Sequence, residues 1–170
     1  MGSAAILAAG CGGSDEGTAA TDSHGYTVQA VTTVSPNKLT KAEYIARANQ
    51  ICRQGWHIVL QNFAEYSGWQ SPKMTREEVF TKSVRLSFLA GLDFHIFDRL
   101  HQLGSPKHEE HRVETVIGAM QLAVELGQVK VLIRSVPQLN SQFADYNRRA
   151  HRYGLNRCLV DGARLRKVQA

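Results

Sequence analysis

The chain has 170 residues, 43% of them apolar, with three cysteines and a formal net charge of +5. That suits one globular domain with a tail, and excludes a chain disordered throughout or a miniature held by many disulfides. No apolar run approaches the ~18–20 residues that span a bilayer, and the whole charge excess sits at one end. Residues 1–140 carry 13 Lys/Arg and 13 Asp/Glu, whereas residues 141–170 carry seven basic residues against Asp145 and Asp161.

Residues 1–10 are short, small and apolar, and Leu7-Ala8-Ala9-Gly10-Cys11 is followed by the polar stretch Gly12-Gly13-Ser14-Asp15-Glu16. This resembles a bacterial lipoprotein signal with its lipobox, in which cleavage before Cys11 leaves that residue to be acylated. Several acyl chains at ~0.8 kcal/mol per buried methylene anchor stably, where one is marginal. Ala8 stands where Leu is commoner, and no Lys or Arg precedes the apolar run as a signal peptide requires. A true n-region upstream of Met1 is therefore expected. Residues 11–37 then read as the anchor and a flexible, disordered tether, and the coil after Cys11 reaches roughly 28 Å at ~5–6 Å × √n. The brief β-like run Tyr26–Val31 could pair locally, but a strand is not the expectation there.

Residues 38–159 read as four amphipathic helices. Thr40-Lys41-Ala42-Glu43 is a capping box, and Ile45, Ala48, Cys52, Trp56, Val59 and Phe63 recur behind it at spacings of three and four. A second box, Thr75-Arg76-Glu77-Glu78, opens helix two. Its expected stripe is Phe80, Ser83, Ser87, Ala90, Phe94, Phe97 and Leu100, with Gly104 as the stop. Ser105-Pro106 predicts a cap and N1 proline for helix three. The stripe there is Val113, Val116, Ile117, Met120, Val124, Gly127 and Val131, closed by Pro137. Gly118 and Gly127 either weaken that helix or admit a close neighbour. Helix four spans Ser141 to Tyr153, with Phe143, Tyr146, Ala150 and Tyr153 on one side and Gly154 as its stop. Short links favour antiparallel neighbours, so the fold class is all-α, an up-down bundle of about four helices. Residues 160–170 read as a basic tail.

Cys52 lies on the first stripe and Cys158 follows the last helix. In an oxidising compartment the two are natural disulfide partners; two buried free thiols are the other arrangement the sequence allows. Leu39-Thr40-Lys41-Ala42-Glu43-Tyr44-Ile45 with Ile51-Cys52, and Tyr153-Gly154-Leu155 with Cys158, resemble small uncharacterised envelope lipoproteins of high-GC Gram-positive bacteria. The resemblance covers about a fifth of the chain. It implies the lipid anchor, the tether and one Cys pair in a helical body, and brings no activity with it.

Signs of chemistry are sparse. His108 and His111 fall three apart in His-Glu-Glu-His, weak candidates for metal ligation, but zincin chemistry needs the two histidines four apart. His57, His95 and His101 border their stripes and read as boundary histidines. No nucleophile elbow or phosphate-binding glycine loop is present in the sequence, so neither an enzyme nor a cofactor is expected. Arg148, Arg149, Arg152, Arg164, Arg166 and Lys167 form the remaining lead, a possible contact for anionic lipid or an envelope polymer. Aromatics for base stacking are not interleaved in the tail, so nucleic acid is not an expected partner. The sequence thus predicts a non-catalytic module anchored to the extracytoplasmic face of the membrane, used for binding or scaffolding. The alternative is a carrier of a small ligand, metal or haem between its helices.

Overall fold

The computed structural model describes residues 39–69 and 72–168, apart from the side chains of Arg166 and Val168, together with two short strands. The chain divides into the units Met1–Thr33 and Val34–Ala170. In the first, Ala20–Thr21 (β1) pairs antiparallel with Thr27–Val28 (β2), Ala20 opposite Val28. Cys11 and the rest of the tether lie outside the described residues.

The second unit is all-α, with six helices among the described residues. Lys41–Gly68 (α1) starts at the Thr40 capping box: Glu43 N–H donates to the Thr40 hydroxyl, and Thr40 N–H donates to the Glu43 carboxylate at 2.8 Å. Bonds from the Thr40 amide and the Thr40 hydroxyl to the Glu43 carboxylate hold that carboxyl below its usual range. Thr75 and Glu78 repeat the device at the start of the second helix (α2, residues 76–102). The α1 stripe is as expected, with Ala48, Cys52, Trp56, Val59 and Phe63 buried, although Tyr44 is buried and Ile45 only partly so.

In α2 the expected stripe is met in part: Phe80, Ser83, Ser87 and Leu100 are buried and Phe97 partly so, but the line of large core residues follows another register. Phe80, Val84, Phe88, Leu92, Ile96 and Leu100 are all buried, four residues apart each time, while Ala90 and Phe94 face solvent. At ~100° per residue, each four-residue step overshoots one α-helical turn by ~40°, so five steps would carry the line ~200° around the helix. Two π-helical turns remove the drift. At Val84–Phe88, Leu89 N–H donates to the Val84 carbonyl; at Asp93–Phe97, Asp98 N–H donates to the Asp93 carbonyl. Each such turn takes up one extra residue, or ~100°, which restores a straight apolar face.

That face lies antiparallel on α1. Gly91 packs against Val59, and Phe88 against Trp56 and Phe63 at ring-centroid distances of 5.9 and 6.2 Å. Gly55 lies against the backbone of α2: a Cβ there would fall 2.5 Å from Ile96 Cγ1 and 2.8 Å from the His95 carbonyl oxygen. A side chain at this position would force the two backbones apart.

The third helix (α3) spans Glu110–Val129 and buries the expected Val113, Val116, Ile117, Met120, Val124 and Gly127. Its ends differ from expectation. Pro106 belongs to the preceding turn, where its carbonyl accepts from Glu109 N–H, and His108 takes a left-handed φ of 67°. At the other end Val131 lies beyond the helix and is exposed, and Ile133 is buried instead. Pro137 does not close α3. It stands in the first turn of Val136–Gln142 (α4), whose Ser135 cap accepts from Gln138 N–H, because proline's missing N–H is harmless there. Phe143 separates α4 from Ala144–Tyr153 (α5), which is the expected fourth helix begun three residues later, so α4 is an additional helix that was not expected. The expected face of Phe143, Tyr146, Ala150 and Tyr153 is buried, and Gly154 ends α5 at φ 101°.

Gly118 and Gly127 separate cleanly. Nothing lies within 4 Å of a Cβ at Gly118, whereas one at Gly127 would fall 2.9 Å from Leu89 Cδ1. Gly118→Ala should stabilise the protein by about 0.5–1 kcal/mol, from backbone entropy alone. An unchanged or lower urea midpoint would contradict that account of Gly118.

The segment after Gly154 is held by side chains from the helices. Asn49 donates to the Gly154 carbonyl at 3.0 Å and accepts from Arg157 N–H at 2.8 Å. Asn147 does both for Val160, and Asn140 accepts from Gly162 N–H. Trp56 Nε1 donates to the Arg157 carbonyl, and the Tyr146 hydroxyl to that of Cys158. Residues expected in a tail instead form Ala163–Val168 (α6), which lies along α1 with Leu165 buried.

Candidate functional site

Cys52 and Cys158 are joined in a disulfide, with Cα atoms 4.9 Å apart and both residues buried. The bond ties the middle of α1 to the asparagine-held segment, across a sequence separation of 106. The pairing favoured by the sequence is the one present.

The six basic residues of the C-terminal end do not form one surface. Arg164 is drawn onto the core, its guanidinium 4.7 Å from the centroid of the Trp56 ring. Lys167 is exposed, and the Arg166 side chain lies outside what is described. Arg148 and Arg149 both pair with Asp145, Arg149 Nε at 2.7 Å, and hold its carboxyl below the usual range. Arg149 and Arg152 then turn toward residues of two other helices.

Together with Lys41 from the first turn of α1 and His111 and Arg112 from the first turn of α3, they line a concavity of about 320 Å³. Tyr153 and Val116 supply its apolar wall. Glu109 sits beside it, paired with Lys41 at 3.4 Å and with Arg112 at 3.3 Å. Lys41 Nζ also lies 4.9 Å from the centroid of the Tyr153 ring. Burial and the neighbouring Glu109 carboxylate push the Tyr153 hydroxyl up to about 12, so it stays protonated. Arg152 makes no ion pair among the described residues.

His108 and His111 are not on one helix face, since His108 occupies the left-handed turn before α3 begins. No group of three or more metal-ligating side chains occurs among the described residues. His57 and His101 are exposed and His95 is half-buried on α2.

A second surface is apolar. Trp69, Phe94 and Leu86 are 84, 69 and 53% exposed and border a groove of about 390 Å³ between the end of α1 and the middle of α2. The π turn at Asp93–Phe97 turns Phe94 outward while Ile96 takes the core position.

Lys41, Arg112 and Tyr153 were not singled out by the sequence as site residues. Lys41 was visible only as part of a capping box, and nothing local marks residues 71 and 112 positions apart in the chain as neighbours. No family model matches the chain, and neither does any curated protein or any solved structure.

Proposed function

We propose that this protein is a non-catalytic lipoprotein of the cell envelope, anchored to the extracytoplasmic face of the membrane through Cys11, whose helical body acts as a binding or scaffolding module. The observation that carries the reading is the Cys52–Cys158 disulfide. Such bonds persist in oxidising compartments and are rare in the cytosol, and pairing these two leaves Cys11, in its lipobox-like setting, as the third cysteine. Binding at the surface fits better than carriage between the helices, because Phe63, Phe88, Leu92, Met120 and Phe143 fill the interior while His57, His101, His108 and His111 face solvent. Exposed Trp69, Phe94 and Leu86 suit contact with a partner.

In native membranes the wild-type protein should enter the detergent phase on Triton X-114 partitioning, and Cys11→Ala should move it to the aqueous phase. Identical partitioning of the two would remove the anchor from the proposal.

A further inference from the structure

We infer that the concavity formed by Lys41, His111, Arg112, Arg149, Arg152 and Tyr153 is a binding site for a phosphomonoester of a small polyol, free or as a lipid headgroup. Four permanent cations converge there from three helices. Two carboxylates accompany them, Glu109 on Lys41 and Arg112, and Asp145 on Arg149. The remaining surplus of about two positive charges matches a phosphate monoester, which carries about −1.5 to −2 at neutral pH. Asp145 is moreover shared with Arg148, and Arg152 has no carboxylate of its own among the described residues. Like charges held this close repel one another, and an oxyanion bridging them relieves that cost.

The geometry favours a phosphate over a diffuse anionic surface. Arg112, Arg149 and Arg152 border one hollow, and guanidinium groups give the charge-assisted, fork-like donors that suit a phosphate. About 320 Å³ exceeds the volume of one phosphate, and the Tyr153 and Val116 wall suits the carbon skeleton of a glycerol or sugar.

The inference goes beyond the anchored-module reading, and the full chain carrying Cys11→Ala tests it in the absence of any acyl group. Glycerol 3-phosphate titrated calorimetrically should bind saturably, one per chain. Arg152→Gln should weaken binding about tenfold, as expected for loss of one charge-assisted contact. Lys130→Gln removes one positive charge at the far end of α3, outside the hollow, and should leave affinity within about twofold. Matching thermal melts of the two variants would exclude unfolding as the cause. Phosphatidylcholine vesicles doped with phosphatidic acid distinguish the sources. Co-sedimentation displaced by glycerol 3-phosphate indicates a headgroup ligand, whereas binding of the soluble probe without co-sedimentation indicates a free one. No saturable binding of either probe, or equal losses from Lys130→Gln and Arg152→Gln, would overturn the site.

Discussion

Replacing Cys52 and Cys158 together by alanine should lower the unfolding free energy by about 4–5 kcal/mol, the chain-entropy value for a closed loop near 100 residues. The bond spans a separation of 106, so its main effect is on the unfolded ensemble, which expands when the crosslink is lost. The double variant avoids leaving one thiol buried alone. Urea melts should show both a lower midpoint and a steeper slope, because more surface becomes exposed on unfolding. Far-ultraviolet circular dichroism before the transition should be unchanged, since the apolar faces of α1, α2, α3 and α5 still have surface to bury. An unchanged midpoint would mean that the bond contributes nothing to the stability of the body.

The second large effect separates two registers of one helix. Phe88→Ala should cost about 3–5 kcal/mol, the range for truncating a buried phenylalanine. Phe88 is fully buried against Trp56 and Phe63, so a cavity is left between α1 and α2. Phe94→Ala, six residues along the same helix, should change stability by no more than about 0.5 kcal/mol, because its ring is 69% exposed. A stripe with regular α-helical spacing, which placed Phe94 inward and omitted Phe88, predicts the reverse order. Chemical denaturation of the two variants decides between them.

That contrast also marks where the sequence was legible. α1 and α3 were readable because their apolar residues follow one uninterrupted period, and the boxes at Thr40 and Thr75 announce two starts by chemistry confined to four residues. Gly154 was readable for the same local reason: only a residue at ease with positive φ ends α5 there. In α2 the period was misread, because Phe94 and Leu86 are large apolar residues at the surface and two π turns shift the phase. The constant spacing of four from Phe80 to Leu100 was itself the signal, for no straight α-helix holds that line on one face. Pro137 was taken for a stop when it serves as a start, two roles whose difference depends on the Ser135 cap beside it. The cationic hollow was half legible. Arg149 and Arg152 stood out as charge, but Lys41 and Arg112 reach them only through the packing of α5 on α3 and the placement of α1.

The asparagine contacts to the segment after Gly154 impose an order in time. Asn49, Asn140 and Asn147 belong to α1, α4 and α5, and only the packed helices bring all three amides to the one segment. During synthesis Cys52 appears 106 residues before Cys158 and must wait for it. The stretch that carries Cys158 has little helical ladder of its own and is placed by side chains that already stand in register. Oxidation of the pair therefore acts as a latch on a nearly finished body, closing last and on the arrangement that the helices have already chosen.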